Sequence, residues 1–416
     1  MTAKQPRRGW IGPLAVAVGV AQVATRALRP RRAPARPEPV RVEEYFSAAE
    51  LARARAYGRP QLALSLGSTL VRAGVLGALV GRRPRSGGRR QGRAGSVTGE
   101  VACGAGLSIG LTLAALPLDA VRRRRSLAVG LATQSWRGWA GDVVKSTLIG
   151  ATLVGGGAPV VLGLMRRRGD RWWIEAAAGS VGLGVLATIG APVVLDPIFN
   201  RFTRLEPGQT RDDVLELAGA AGVGVQDVYT VDASRRTTAA NAYVTGLGAT
   251  RRVVLFDTLL ATFSRDETRL VVAHELAHVR HRDVPRGLLQ MALAAPAATL
   301  AVARLASRLD RTSDPGPGSL PALALAVGIV VGPVGMVSNQ LSRAVERRAD
   351  RFALKLTDSP DAFTSFERRI VLANLGDPDP PRWFNVLFAT HPPAVERIAT
   401  ARAHASGSGQ DPLLGA

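Results

Sequence analysis

The run Leu270-Val-Val-Ala-His-Glu-Leu-Ala-His-Val279 decides how this chain of 416 residues is interpreted. Its apolar spacing predicts a helix from about Asp266 to His281. Residues four apart lie on one face of a helix, so His274 and His278 can offer ring nitrogens to a single ion. Glu275 is turned about 100° from His274 and is placed to take a proton from a zinc-bound water. The run therefore predicts half of a catalytic zinc site.

The alternative is an ordinary helix on which His274, Glu275 and His278 have this spacing by chance. The chain has only five histidines, so two of them would seldom meet in this pattern by chance. Apolar residues flank the polar stripe on both sides, as expected of a buried catalytic helix. At the helix end, His281 is flanked by Arg280, Arg282 and Asp283, which predicts a solvated terminus.

The third zinc ligand is expected on a second helix. A catalytic zinc site needs three protein ligands and one open position. Glu346 is the candidate, and Asp350 lies one turn beyond it, where it can accept a hydrogen bond from a ligating imidazole. Alone, such a pair on an arginine-rich helix indicates a solvated face. Beside His-Glu-x-x-His it predicts one Zn²⁺ per chain, held by His274, His278 and Glu346.

A third polar motif is Thr390-His391-Pro-Pro-Ala-Val-Glu-Arg397. A histidine fixed by two prolines can stabilise the oxyanion of a tetrahedral intermediate. The alternative is a helix-capping turn with proline at its start. Cys103 is the only cysteine, which excludes an intrachain disulfide and a multi-cysteine metal site.

Long apolar blocks predict a membrane protein. Hydrophobic residues make up 46% of the chain and are concentrated in blocks instead of recurring at amphipathic spacing. The first block is short for a span and follows Lys4, Arg7 and Arg8, so a signal peptide is its alternative. Seven blocks are candidate spans: Trp10–Ala24, Leu62–Gly81, Val97–Leu118, Val143–Met165, Trp172–Leu195, Leu288–Leu305 and Leu320–Val337.

The formal net charge of +22 comes mainly from arginine. The arginines form runs beside the apolar blocks, as at Arg122 to Arg125, and such runs anchor membrane helices to lipid headgroups. The charge therefore indicates a lipid bilayer as partner and no nucleic acid. Lys and Arg are shared almost equally between alternate loops, so the positive-inside rule leaves the orientation open.

Four ionisable residues fall inside the apolar blocks, namely Arg72, Glu100, Lys145 and Glu175. Groups at that depth face a bundle interior or a water-filled cavity, or else snorkel from a helix end. Snorkelling suits Lys145 and Glu175 well. It suits Arg72 least, so Arg72 is expected to face an interior or a cavity.

The remaining stretches are expected to be water-soluble. A helical pattern near Asp212–Ala221 is followed by strand-like runs at Val225–Val231 and Val253–Phe256. The predicted organisation is an N-terminal membrane region with five candidate spans at 1–195, a zinc metallopeptidase domain at 196–405 that is interrupted by spans at 288–305 and 320–337, and a disordered tail at 406–416.

Several motifs together resemble one known family, the integral-membrane CAAX prenyl proteases. The similarity is specific from about Leu195 to Ile398. The motifs that carry it are His274–His278, Ser342–Leu354, Thr390–Ile398, Leu195–Phe202, Asn241–Gly246 and Arg252–Leu260.

This resemblance implies a mainly α, polytopic fold of about seven transmembrane helices around a water-filled chamber. A zincin-like domain with a small β element would cap the chamber on the cytoplasmic side of a bacterial plasma membrane. The resemblance assigns Asp350 a supporting or proton-donating role and places His391 and Arg397 beside the substrate. Asn241, Ala242 and Tyr243 would lie on an edge strand that pairs with the substrate backbone.

The expected function is a membrane zinc endopeptidase acting on membrane-associated or C-terminally processed polypeptides. One alternative is a membrane quality-control protease of the bacterial heat-shock type. Another is a non-catalytic membrane scaffold that keeps the fold, although a scaffold has no need to retain Glu275 with the three ligands. The oligomeric state is left open by the sequence.

Overall fold

The structure is a computed structural model that describes residues 9–31, 37–82, 96–246, 248–310, 312 and 314–407. Most of the tail predicted to be disordered, residues 408–416, lies outside the described residues. The α-helices are α1 Ile11–Leu28, α2 Ala48–Gly81, α3 Val97–Ala128, α4 Trp136–Arg168, α5 Trp172–Gly190, α6 Asp196–Phe199, α7 Gln209–Ala220, α8 Asp257–Thr262, α9 Arg265–Arg280, α10 Asp283–Leu309, α11 Leu320–Thr357, α12 Pro360–Ala373, α13 Arg382–Leu387 and α14 Ala394–Ala405.

Along the chain, the strands of a small mixed sheet lie between helices α1–α5 and helices α9–α14. Its strands are β1 Phe202–Arg204, β2 Asp227–Val231, β3 Ala242–Thr245 and β4 Arg252–Phe256, in the order β1-β2-β4-β3. β2 and β4 are parallel, while the β1 and β3 pairings are antiparallel. The two strand-like runs of the sequence correspond to β2 and β4. β3 is an edge strand, as the family resemblance implied.

The membrane helices account for most of the chain. Six helical stretches of the described residues are long and apolar enough to cross a bilayer. One of them covers 64 residues, Trp136–Phe199, because only a short 3₁₀ turn at Gly169–Arg171 joins α4 to α5. Each of the seven apolar blocks therefore lies in a long helix. The prediction of a mainly α, polytopic membrane fold is confirmed.

Small residues allow α3 and α4 to cross at short distance. A Cβ added to Gly104 would lie 2.8 Å from the carbonyl oxygen of Val154 and 2.9 Å from Cβ of Ala158. In a bilayer, where lipid is as apolar as leucine, such close backbone contact drives helix association. An ion pair also joins the two helices, because the fully buried Glu100 on α3 lies 2.5 Å from Arg166 on α4.

The other charged residues inside the blocks also have partners. Lys145 lies 3.7 Å from Asp142, one turn away on α4, and Glu175 lies 2.8 Å from Arg168. These contacts near helix ends agree with snorkelling. Arg72 instead pairs across helices with Asp119 on α3, at 3.5 Å.

The largest apolar core lies in the water-soluble part, between the sheet and the helices α7, α9 and α12. Leu255 of β4, Leu276 of α9, Leu354 of α11 and Phe363 of α12 are fully buried there. Alternating residues of β4 and one face of α9 supply this core, so α9 is held against the sheet. The opposite face of α9 is left to meet α11.

Two membrane helices lead directly into this domain. Only His281 and Arg282 separate α9 from α10, and the left-handed backbone of Arg282 (φ 54°) makes the turn between them. α11 continues without a break from the apolar block Leu320–Val337 to Glu346 and Asp350. The residues predicted to bind zinc are therefore on helices that continue from, or adjoin, membrane spans.

Candidate active site

Helix α9 carries the His-Glu-x-x-His motif and is fixed both at its N-terminus and along its buried face. Ser264 and Glu267 form a capping box at its N-terminus, which satisfies amide groups that would otherwise lack partners. Ala273 and Ala277 are fully buried toward the core. His274, Glu275 and His278 lie beside this apolar stripe, and α9 packs against α11.

The three predicted metal ligands meet at one point. His274 Nε2 lies 3.3 Å from His278 Nε2 and 3.2 Å from Glu346 Oε2. His278 Nε2 lies 3.6 Å from Glu346 Oε1. Ligand atoms bound tetrahedrally at about 2.1 Å from zinc are separated by about 3.3–3.4 Å. Two imidazoles and one carboxylate at this spacing fit Zn²⁺ in both geometry and chemistry.

Glu275 lies beside these ligands, with a carboxylate oxygen within 4.8 Å of the ring nitrogens of His274 and His278. Burial raises the pKa of Glu275, and the neighbouring histidines offset only part of this rise. A carboxylate with a raised pKa takes up a proton more readily near neutral pH, which suits a general base.

The imidazole of His274 is backed by a chain of charged groups. Its Nδ1 lies 3.0 Å from Asp350 Oδ1, at an angle unfavourable for a hydrogen bond. Arg397 donates two hydrogen bonds to Asp350, at 3.0 and 2.5 Å, and its third nitrogen lies 2.7 Å from Glu367. Asp350, Glu367 and Arg397 lie close together with little solvent exposure. The two carboxylates hold the guanidinium of Arg397, and Asp350 in turn contacts the imidazole of His274 and fixes its orientation.

These charges set the titration of the groups around His274. Burial alone disfavours the imidazolium, but the carboxylates of Asp350 and Glu346 outweigh it and raise the pKa of His274 to about 10. Burial raises the pKa of Glu367 to about 7, although Arg397 opposes the rise. The carboxylates of Asp350 and Glu346 thus favour positive charge at His274.

Asp283 backs the second imidazole and was missed by the sequence analysis. Its Oδ2 lies 3.1 Å from His278 Nδ1, and its other oxygen accepts from Arg286 at 2.5 Å and from Arg348. Arg280 and Arg282 are exposed, as expected of a solvated helix end, but the side chain of Asp283 is only 8% exposed, so that expectation is wrong for Asp283. Asp283 is five residues from His278, beyond the end of α9, and the turn at Arg282 brings it back.

The other motif residues line one cavity beside the ligands. It has a volume of about 430 Å³, and its polar wall includes Asn241, Glu275, His391 and Arg397. His391 Nε2 lies 3.5 Å from Glu346 Oε2, and its Nδ1 is hydrogen-bonded to the Thr390 hydroxyl at 2.9 Å. The apolar wall consists of Phe256, Leu259, Leu270, Val271, Phe366 and Ile370.

The segment before His391 is fixed by polar contacts from α11. Arg343 donates to the carbonyl oxygens of Ala389 and Val386, the second at 3.1 Å, and Asn339 donates to that of Leu387 at 3.1 Å. Helix α11, which carries Glu346, therefore also positions the residues that precede His391. Arg343 lies in the motif Ser342–Leu354 but was given no role from the sequence, and Glu367 carried no signal that would have singled it out.

Asn241, the residue before strand β3, lines this cavity, and β3 itself contacts α9. Asn241 is exposed and its side chain accepts a hydrogen bond from the Ala242 amide at 2.9 Å, while Ala242 points into the core. Tyr243 packs edge-on against Phe256, and burial together with nearby Asp196 raises its pKa to about 12. The structure thus brings this edge strand to the same cavity as Glu275.

Comparisons with known proteins decide the family. Residues 205–405 match peptidase family M48, and residues 29–201 match the CAAX prenyl protease N-terminal family of five membrane helices. A Bacillus subtilis protein named as an uncharacterized metalloprotease, YhfN, is 31% identical over 303 residues, which is 71% of each chain. The chain belongs to peptidase family M48.

Two further M48 comparisons concern function and fold. A probable CAAX prenyl protease 1 of Schizosaccharomyces pombe is 28% identical over 62% of this chain and 56% of its own length. The crystal structure of Ste24p from S. mikatae aligns with 94% of this chain and 96% of its own at a TM-score of 0.73 and 21% identity, so it shows the same fold. This M48 chain is a multi-pass membrane metalloprotease of the CAAX prenyl protease type, as the motifs predicted.

Proposed function

We propose that the chain is a membrane-embedded zinc endopeptidase with one Zn²⁺ held by His274, His278 and Glu346. The observation that carries this proposal is the convergence of three ligand atoms, 3.2 to 3.6 Å apart, from two helices distant in the chain. A zinc ion bound there supplies a Lewis acid that polarises a peptide carbonyl and lowers the pKa of water.

The protein's own groups carry the proton transfers. Glu275 accepts a proton from the attacking water and passes it to the leaving nitrogen. His391, which lines the same cavity with its Nε2 3.5 Å from Glu346 Oε2, donates a hydrogen bond to the oxyanion of the tetrahedral intermediate. Asp350 and Arg397 act indirectly, because their contacts orient the ring of His274.

The substrate in this proposal is an extended polypeptide, either membrane-associated or processed at its C-terminus. Edge strand β3 offers main-chain groups along Asn241–Thr245, and β-augmentation binds backbone with little regard to side chains. The apolar wall of the cavity, with Leu259 and Val271, accepts an apolar side chain next to the cleaved bond. We place the protein in a bacterial plasma membrane with this cavity toward the cytoplasm, as the family resemblance implies.

The test compares the purified protein with its Glu275→Gln form, each loaded with one zinc per chain. Both are incubated with an unfolded membrane protein and with a prenylated peptide, and new N-termini are counted. We expect Glu275→Gln to lower the rate at least 10²- to 10³-fold, since it removes the general base and keeps the ligands. Glu216→Gln is the matched control, because Glu216 is 68% exposed and lies outside the cavity.

Equal turnover by the protein and its Glu275→Gln form would contradict the proposed chemistry. Turnover of the prenylated peptide alone would favour a processing protease, and turnover of the unfolded membrane protein alone would favour quality control. Zinc that binds both forms without any cleavage would favour the scaffold alternative.

A further inference from the structure

A second cavity lies between the membrane helices α2, α3 and α4. Its volume is about 760 Å³, and most of its lining residues are polar or charged. Hydroxyl groups line it from all three helices, including Ser68, Thr112 and Thr147. The charged residues in its wall are Arg72, Arg122, Arg123, Arg236, Asp119 and Asp142.

Positive charge exceeds negative charge in this wall. Asp119 lies 3.5 Å from both Arg72 and Arg122, so one carboxylate is shared by two guanidiniums. The side chains of Arg72 and Arg122 are 43% and 41% exposed in spite of their position among membrane helices. Both guanidiniums therefore keep donors available on the cavity side. This is the environment that the sequence predicted for Arg72.

The remaining charges do not restore the balance. Asp142 accepts from Arg236 at 2.9 Å and also lies 3.7 Å from Lys145. Arg123 donates to the backbone carbonyl of Gln134, which carries no formal charge. Within the described lining, four guanidiniums thus face two carboxylates. Clustered guanidiniums with too few carboxylates attract anions.

The walls of the arginine cavity and of the catalytic cavity come within two residues of each other along the chain. Thr237 lines the first and Ala239 the second, and two residues of extended chain span at most about 7 Å. The segment between them leads directly into Asn241 and β3. A polypeptide bound along this edge can therefore reach the arginines within a few residues of the cleaved bond.

We propose that the arginine cavity binds the C-terminal carboxylate of the polypeptide substrate, with Arg72 and Arg122 as the principal donors. A planar guanidinium matches a carboxylate in geometry and charge. The phosphate of a lipid headgroup would offer similar anionic chemistry, and the vesicle composition in the test separates the two sources. This proposal rests on the proposed peptidase function and makes the cleaved bond depend on its distance from the substrate's C-terminus.

The experiment uses two quenched fluorescent peptides that are identical except for a C-terminal carboxylate or amide. The full-length zinc-loaded protein in vesicles is assayed with both, and kcat/KM is compared. We expect a preference for the carboxylate of roughly 10- to 100-fold, the range for hydrogen bonds to a charged group. Arg72→Gln and Arg122→Gln should each reduce this preference, and together abolish it, while the amidated peptide is cleaved at the unchanged rate.

Controls separate recognition from folding. Arg122→Lys keeps the charge and should restore part of the preference. Arg137→Gln changes an exposed arginine at the start of α4, outside the cavity lining, and should keep all of it. Binding of both peptides to the Glu275→Gln form measures the same preference without turnover. A carboxylate preference in binding with no cleavage by the unmodified protein would sink the proposed function and support this site.

Three results would overturn the carboxylate site. One is equal binding and equal turnover of the two peptides by the unmodified protein. Another is a preference that survives in the double variant. The last is a variant effect that is equal for both peptides and grows with the phosphatidylglycerol content of the vesicles, which would assign the cavity to a lipid headgroup.

Discussion

The water-soluble part and the membrane part of this molecule are stabilised in different ways. Around α9 and the sheet, large side chains such as Leu255, Leu276 and Phe363 are fully buried in one core. In the membrane helices, large side chains such as Leu148 and Leu183 are 60% and 62% exposed, and helices meet at small residues.

This difference matches the tasks of the two parts. A metal site needs its ligands held within about 0.5 Å, which a close-packed core and paired charges provide. The membrane helices are surrounded by lipid and need only local contacts, so they can leave polar cavities between them. Four substitutions with matched controls test this contrast.

The largest effect is expected from Arg397→Met on α14. It would leave Asp350 and Glu367, both 1% exposed, without their shared cation. We expect the free energy of unfolding to fall by about 4 kcal/mol, as for other buried ion pairs that lose one partner. Chemical unfolding in detergent measures it. Arg402→Met, on the same helix and paired with exposed Glu44, should cost less than about 1 kcal/mol.

The second effect concerns packing. Leu354 of α11 is fully buried in the soluble core, and Leu354→Ala should lower the free energy of unfolding by about 3 kcal/mol through lost contacts and a cavity. Leu183→Ala, at a site 62% exposed on α5, should change it by less than about 0.5 kcal/mol. Similar losses from both changes would show that the two parts pack alike.

The third effect tests the junction of the two parts. Asp283 starts membrane helix α10 but orients His278, so Asp283→Asn should weaken zinc binding by about 10- to 100-fold. Competition with a zinc chelator measures this affinity. Asp361→Asn, at an exposed position on α12, is the control and should leave the affinity unchanged. An unchanged affinity in Asp283→Asn would mean that the ring of His278 is held by packing alone.

The smallest effect is expected inside the membrane. Gly104→Ala would force the α3–α4 contact apart, because the new Cβ would lie within 3 Å of Val154 and Ala158, and should cost about 1–2 kcal/mol. Gly106→Ala, two residues along α3, meets no atom within 4 Å and should be neutral or slightly stabilising. Thermal unfolding in detergent compares them, and equal stability would refute the close-contact model.

Much of the fold followed from local patterns. The seven apolar blocks all lie in long helices, and the runs Val225–Val231 and Val253–Phe256 became β2 and β4. Periodicity and block length depend on nearby residues, so they can be read along the chain. Strand β1 has three residues, of which only Phe202 is partly buried and the other two are exposed, so it left no such pattern.

The candidate site was predictable only where its residues share a motif. His274, Glu275 and His278 lie on one helix, and their fixed spacing gave their relative positions. Asp283 and Glu367 could not be found in this way. Asp283 returns to His278 through the turn at Arg282, and Glu367 reaches Arg397 from a different helix.

By itself, the sequence determined the membrane character, the helical carrier of the metal motif and the chemical type of each ligand, because these follow from composition and short-range spacing. Only the tertiary structure placed Glu346 within 3.2 to 3.6 Å of both imidazoles, arginines against the carboxylates behind these imidazoles, and an arginine-rich cavity between the membrane helices. These features depend on how helices distant in the chain pack, which is set by many side chains at once.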